Sequence, residues 1–136
     1  MSEAIQEYQF RTNLSLPYDA AVEKVTAALK EEGFGVLTEI DVQATLKKKL
    51  DADFRRYIIL GACNPPLAHR ALSAELEIGL LLPCNVIVYE GDDSESSVVS
   101  IVDPLAMLGT VANPGLQPVA DEARARLQRV ADALAE

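Results

Sequence analysis

The sequence LPCNVIVYEGDDSESSVVSIV, residues 82–102, contains two apolar runs on either side of a polar loop. The runs 82–90 and 97–102 are rich in Val and Ile, which favour strands, whereas residues 91–96 are Gly, Asp, Ser and Glu, which favour turns. Two strands joined by so short a loop predict an antiparallel hairpin. We therefore expect an α+β fold, mainly an antiparallel sheet with helices packed on one face, rather than a doubly wound parallel sheet.

The remaining elements are predicted from hydrophobic periodicity and from helix-capping residues. Residues 8–16 alternate apolar and polar side chains and predict a strand. A helix is predicted from Pro17 to Glu32, with Gly33 in the left-handed conformation that ends many helices. The other predictions are strands at 34–42 and 56–62, helices at 43–54 and 67–76, a turn or short helix carrying Met107, and a helix from Asn113 to residue 134.

Length and composition indicate one globular domain, residues 1–136, with its core at about 8–135. The net charge of −9 disfavours nucleic acid and anionic membranes as partners, because both bind basic surfaces. The first residues carry neither a basic nor an apolar run, so no signal peptide is predicted. The longest apolar stretch, 78–89, is interrupted by Gly and Pro and is too short to cross a bilayer. We expect a soluble, cytoplasmic protein.

Both cysteines of the chain precede an asparagine and lie beside proline, in ACNPP (62–66) and LPCN (82–85). Proline fixes the backbone and lacks an N–H, so each cysteine is expected where a strand starts or stops. If the third and fourth strands are neighbours, the two cysteines approach each other at one end of the sheet. The predicted ligand-binding site contains Cys63, Asn64, His69, Cys84, Asn85 and Asp103.

Several chemistries are compatible with these residue types. Cys63, His69 and Cys84 would be the ligands of a metal site, with a carboxylate such as Asp103, although their spacing matches no zinc pattern. A redox pair would lack the usual Cys-x-x-Cys. Cys63 precedes a predicted helix N-terminus, which would lower its thiol pKa and favour a nucleophile. The simplest alternative is that both thiols are buried hydrophobes and the asparagines fix turns.

A basic cluster stands out in this acidic chain: Lys47, Lys48, Lys49, Arg55 and Arg56. It would steer a small anion, such as a phosphorylated or carboxylate metabolite, toward a pocket. The alternative is a solvated helix face, partly neutralised by Asp51 and Asp53.

The second face of the predicted sheet also carries apolar residues, since Ile58 and Ile59 are adjacent, as are Val86 and Ile87. Burial of both faces is therefore expected. Homodimerisation through the sheet would bury the second face. The alternative is that the Lys-rich segment and the turn at Met107 cover it within one chain.

Four ordered motifs resemble the domain of unknown function 302 family: FGVLTEID (34–41), LGACNP (60–65), LLLPCNV (80–86) and Asp103-Pro104 with Met107. The resemblance extends from about residue 8 to residue 134. It implies a β-α-β(4)-α core with added short helices, similar in topology to the TATA-binding-protein fold, and it implies dimers. It implies no activity, and the topological similarity does not imply DNA binding.

The sequence thus predicts a homodimeric module that binds a small ligand or a metal at the two Cys-Asn motifs. The alternatives are a thiol-dependent enzyme or redox protein using Cys63 and Cys84, and a purely structural dimerisation module. No G-x-G-x-x-G, Walker, H-E-x-x-H or G-x-S-x-G motif is present, so enzymatic activity is not predicted and no cofactor is indicated.

Overall fold

The computed structural model describes residues 7–135 and contains a five-stranded sheet, which confirms the predicted α+β class. The order of the strands across the sheet is β1-β5-β4-β3-β2, and every neighbouring pair is antiparallel. The predicted hairpin is therefore correct and forms the pair β4–β5. The strands are β1 (Gln9–Leu14), β2 (Gly35–Asp41), β3 (Tyr57–Cys63), β4 (Cys84–Glu90) and β5 (Ser97–Val102).

Five α-helices and two 3₁₀ helices connect or follow these strands, in the implied β-α-β(4)-α order with added helices. The 3₁₀ helix Leu76–Leu81 was not predicted, because its apolar run lacks a helical period and only Ile78 is buried. A second 3₁₀ turn, Pro114–Leu116, occupies the predicted start of the last helix. The α-helices are α1 (Tyr18–Glu31), α2 (Val42–Leu50), α3 (Pro65–Ala74), α4 (Pro104–Leu108) and α5 (Gln117–Leu134).

The end of α1 forms the glycine-dependent stop that the sequence predicts. Gly33 has φ = 84°, and its N–H donates to the carbonyl of Lys30 over 3.0 Å. The N–H of Phe34 donates to the carbonyl of Leu29 over 2.9 Å, which completes a Schellman motif. Because Phe34 is itself buried, this turn also fixes the direction in which the chain enters β2.

The core lies between the sheet and α1, α3, α4 and α5, which all pack on one face. Alternate residues of the central strands meet the apolar stripes of α1 and α5 there. The turn at Met107 belongs to this layer, since α4 packs against α5. The expectation that this turn covers the other face is therefore wrong. The main core residues are Val25, Leu29, Leu60, Val86, Val88, Val99, Ile101, Leu127, Val130 and Leu134.

The other side of the sheet, here called the open face, is not covered by these helices. One row of side chains crosses this face from β2 to β1, and each member pairs with the next one on the neighbouring strand. The row is Ile40, Ile59, Ile87, Ser100 and Arg11. The Lys-rich α2 packs against β2 and β3, and Phe54, which follows it, contacts Tyr57. Burial of this face by a second copy stays a prediction. No helix within residues 7–135 has the length and apolar character needed to cross a membrane.

Candidate functional site

The two cysteine motifs meet at one end of the sheet, because β3 and β4 are neighbours as expected. Cys84, the first residue of β4, lies opposite Ala62, and Cys63 is the last residue of β3. Both cysteines line one cavity of about 300 Å³, and both are free thiols. We call this space the apolar cavity.

Among residues 7–135, no charged side chain lines the apolar cavity. They come from the loop before β2 and β2 itself, from α3, from the segment before β4, and from α4 and α5. The polar groups at the surface are the two thiols, the Thr38 hydroxyl and the Asn64 amide. The most prominent apolar wall residues are Phe34, Leu37, Leu67, Ala68, Leu72 and Val119.

Asn64 connects three elements beside the cavity and is only 7% exposed. Its Oδ1 accepts the N–H of Leu67 over 3.2 Å, which confirms it as the N-cap of α3. Its Nδ2 donates to the carbonyl of Glu32, just after α1, over 3.3 Å. Its side-chain amide thus joins the end of α1 to the start of α3, directly after the last residue of β3.

The expected low pKa of Cys63 is wrong. Pro65 and Pro66 occupy the first two positions of α3 and have no N–H, the N–H of Leu67 is used by Asn64, and that of Ala68 donates to the Asn64 carbonyl. The helix therefore presents no free donor to a thiolate. Burial instead raises the pKa of the Cys63 thiol above its usual 9.0.

Cys84 is still less ionisable. Burial, together with the nearby Cys63 thiol, raises its pKa from 9.0 to about 11. A rise of two pKa units lowers the population of the thiolate at pH 8 about 100-fold. Since the thiolate is the reactive form, the reactivity of Cys84 falls with it.

We expect iodoacetamide at pH 8 to alkylate Cys84 at least about 100-fold more slowly than an unhindered cysteine. Cys63, which is half-buried, should react faster than Cys84. The rates are measured by mass spectrometry on Cys63→Ser and Cys84→Ser, each of which retains one thiol, with urea-unfolded protein as the reference. Rapid alkylation of Cys84 in the folded Cys63→Ser variant would contradict the buried, neutral thiol.

The structure does not bring the other three predicted residues into the cavity. His69 is exposed, because Leu67, Ala68, Ala71 and Leu72 are the cavity-facing positions of α3 and residue 69 lies on another side of the helix. Asn85 is exposed on the open face, since side chains alternate along β4 and Cys84 faces the helices.

Asp103 has a structural role one residue before the cavity wall at Pro104. Its Oδ1 accepts the N–H of Leu105 over 2.9 Å and caps α4, and its Oδ2 pairs with Nε of Arg124 at 3.2 Å. Both carboxylate oxygens therefore have partners outside the cavity.

In these positions, Cys63, His69 and Cys84 do not converge on a point where one metal ion could bind all three. Among the described residues, no three His, Cys, Asp or Glu side chains form a group suited to a metal ion. With neutral thiols, an exposed imidazole and an occupied carboxylate, the geometry does not assemble the metal site considered from sequence.

The apolar walls were missed because they come from distant parts of the chain. Leu72 and Val119 carry no motif, and each belongs to a helix whose periodicity indicates only burial. A usable signal was the position of small residues, since Ala68 and Ala71 leave space on the cavity side of α3.

A search among curated proteins found no match. Among solved structures, the chain is similar to a crystal structure described as the uncharacterized conserved protein DUF302 from Bacillus stearothermophilus. The two share 29% identity with a TM-score of 0.85, over 95% of this chain and 99% of the other. The family model for the domain of unknown function DUF302 matches residues 10–134. The fold, the ordered motifs and this match together show that the chain belongs to the DUF302 family.

Proposed function

We propose that the chain is a single-domain, homodimeric protein that binds a small, apolar, uncharged organic ligand in the apolar cavity. The observation that carries this proposal is a space of about 300 Å³ whose wall includes both Cys-Asn motifs. Cavities of this size, apolar with a few polar groups, are typical of small-molecule sites.

The class of ligand follows from the polar groups of the wall. A charged ligand would have no counter-ion in the part of the chain that the structure describes, because no Lys, Arg, Asp or Glu there lines the cavity. Asn64 already uses both ends of its amide within the protein. Thr38 and the two thiols are the remaining polar contacts, and a thiol is a weak donor and a weak acceptor. The ligand would be held mainly by burial of apolar surface.

The thiol-dependent alternatives receive less support. Burial raises the pKa of both Cys63 and Cys84, which favours neutral thiols over the thiolates that nucleophilic or redox chemistry requires. We therefore assign the cysteines a packing role in the cavity wall. Two unpaired cysteines also support our proposal of a cytoplasmic location.

We expect the uncharged fluorophore N-phenyl-1-naphthylamine to bind the protein saturably, and Ala68→Phe to weaken its binding at least about tenfold. Ala68 lines the cavity and is half-buried, so a phenyl group there would occupy the ligand's space without entering the closed core. The measurement is a fluorescence titration of the probe.

The matched control is Ala27→Phe, the same substitution at an exposed position of α1 outside the cavity. Its probe affinity should equal that of the natural protein, and circular dichroism would check that both variants are folded. Absence of saturable binding, or equal loss in the two variants, would overturn the ligand proposal and leave a structural dimerisation module as the better description.

We further propose that the dimer forms through a leucine surface made of Leu37, Leu72, Leu76 and Leu80. These side chains are 69%, 37%, 79% and 84% exposed. Leu37 and Leu72 lie at the cavity, and the Cβ position of Gly79 is 4.0 Å from Leu72, so the 3₁₀ helix lies beside it. Adjacent exposed apolar side chains of this kind are typical of interaction sites.

The family resemblance implies a dimer, so we propose that a second copy of the chain covers this surface. The sheet, which the sequence suggested, is the less favoured surface because the aliphatic residues along its central strands are already half-buried by their neighbours. Contact at the leucine surface would also shield the cavity mouth from water.

We expect the natural protein to be a dimer by light scattering and Leu80→Glu to weaken dimerisation at least about tenfold, since a carboxylate would be buried without a partner. Ile40→Glu on the open face is the matched control and should remain dimeric, because Ile40 is also exposed, at 49%. A monomeric natural protein, or dissociation by Ile40→Glu alone, would contradict the leucine surface.

A further inference from the structure

The open face carries a second, chemically different concavity. It measures about 470 Å³ and contains four of the seven Phe and Tyr side chains of the chain. We call it the tyrosine–arginine cluster, made of Tyr8, Arg11, Phe54, Arg55, Tyr57 and Tyr89, with Ile87 and Ser100 between them.

Three of its aromatic rings contact one another. Tyr57 and Tyr89 are paired across β3 and β4, and their rings stack with centroids 5.4 Å apart and an interplanar angle of 7°. Phe54 meets Tyr57 with centroids 6.2 Å apart and an interplanar angle of 53°, so these two rings are tilted. A ring bound here would pack against these aromatic side chains, edge to face or offset-stacked.

The two arginines give this surface a positive charge. Arg55 lies over the Tyr89 ring at 5.7 Å and donates to the Glu90 carbonyl over 3.1 Å. Within residues 7–135, no carboxylate oxygen lies within 4.0 Å of the Arg11 or Arg55 guanidinium. Their positive charges therefore lack a carboxylate partner in the described residues, although the chain as a whole has a net charge of −9.

In this respect Arg55 differs from two other members of the basic cluster noted in the sequence, Lys47 and Arg56. Lys47 pairs with Asp51 at 3.0 Å and with Asp53 at 3.2 Å, and Arg56 pairs with Asp19 at 2.6 Å. Of the described residues, no Asp or Glu lines the tyrosine–arginine cluster. Glu90 belongs to the alternate phase of β4 that faces the helices.

We propose that the tyrosine–arginine cluster is a binding site for a planar aromatic carboxylate or a similar small aromatic anion. The ring would pack against the aromatic side chains of Tyr57 and Tyr89, and the carboxylate would accept hydrogen bonds from Arg11 and Arg55. Burial raises the pKa of Tyr57, with smaller contributions from Tyr89 and Tyr8, so its hydroxyl is a neutral donor at physiological pH. This site is independent of the apolar cavity, which lies among the helices.

The test is a titration with 2-naphthoate followed by its own fluorescence, which is free of tryptophan background because the chain has none. We expect saturable binding that Arg11→Gln or Arg55→Gln weakens at least about tenfold each. Lys30→Gln, which removes an exposed charge from α1 on the helix side, should leave the affinity unchanged. Cyclohexanecarboxylate, which keeps the charge but lacks the aromatic ring, should bind at least about tenfold more weakly.

Ala68→Phe separates this inference from the proposed function, because it should abolish the neutral probe's site and leave 2-naphthoate binding intact. The inference is overturned if 2-naphthoate does not bind saturably, if Arg11→Gln and Arg55→Gln both bind as tightly as the natural protein, or if Ala68→Phe removes the binding. Equal affinity for cyclohexanecarboxylate would overturn the role of the aromatic side chains.

Discussion

Gly61→Val is expected to destabilise the fold by about 3 kcal/mol, through overpacking within β3 at the end of the sheet that carries the cavity. A Cβ at Gly61 would lie 2.7 Å from Cγ of Pro83 and would clash more severely with Oγ1 of Thr38. Gly61 pairs with Thr38 on β2 and with Asn85 on β4, so strands hold it on both sides and it has no room to move. The measurement is the free energy of unfolding from urea denaturation.

Gly35→Val is the matched control for this loss. Gly35 also lies in a strand, but nothing lies within 4 Å of its Cβ position and its φ is not positive. Because Val favours strands, its effect should stay within about 0.5 kcal/mol of zero or be stabilising. Equal destabilisation by the two substitutions would show that loss of glycine, rather than the contact with Thr38 and Pro83, is responsible.

Asn64→Ala should lower the free energy of unfolding by about 2–3 kcal/mol. The substitution removes the cap of α3, which accounts for about 1 kcal/mol, and leaves the buried N–H of Leu67 without its acceptor. It also removes the bond from Nδ2 to the Glu32 carbonyl, which holds the end of α1 against α3. Since Asn64 is in the cavity wall, binding of the neutral probe should weaken in parallel.

Two variants separate the contributions of the Asn64 amide. Asn64→Ser keeps a hydroxyl that can accept the N–H of Leu67, as N-cap serines do, and loses the donor to Glu32, so its destabilisation should be smaller than that of Asn64→Ala. Asn113→Ala removes a similar set of bonds at a more accessible position: the cap to Gly115 over 2.9 Å, and the bonds from Nδ2 to the Ala74 carbonyl over 2.9 Å and to Oε1 of Glu75 over 3.1 Å. Because these groups are more accessible to water, it should cost about 1 kcal/mol. If Asn64→Ala were no more harmful than Asn113→Ala, burial of the amide would not matter.

The elements of the fold were predictable where neighbouring residues determine them. The β4–β5 hairpin, the stop at Gly33 and the cap at Asn64 each depend on a few adjacent residues, and all three are present. The proximity of the Cys63 and Cys84 motifs also followed once two strands were neighbours.

The candidate site was less predictable, because it depends on which side of each element a residue occupies. His69 was placed in the site by its distance along α3, but the phase of the helix turns it outward. The N-terminus of α3 predicts a lowered pKa for Cys63, but burial raises it. Pro65 and Pro66 have no N–H and Asn64 accepts the next one, so no N–H is free to stabilise a thiolate there. The apolar cavity needs residues from five segments, and no single segment indicates it.

The position of the strands has a consequence for how the chain folds. β1 and β2 are consecutive in sequence, yet they occupy opposite edges of the sheet, with β5, β4 and β3 between them. The three central strands are consecutive and pair with their sequence neighbours, so they can assemble with shorter loop closures. The pairing of β1 with β5 joins residues about 90 positions apart and should form late, so pulsed hydrogen exchange would detect protection of β3–β5 before that of β1.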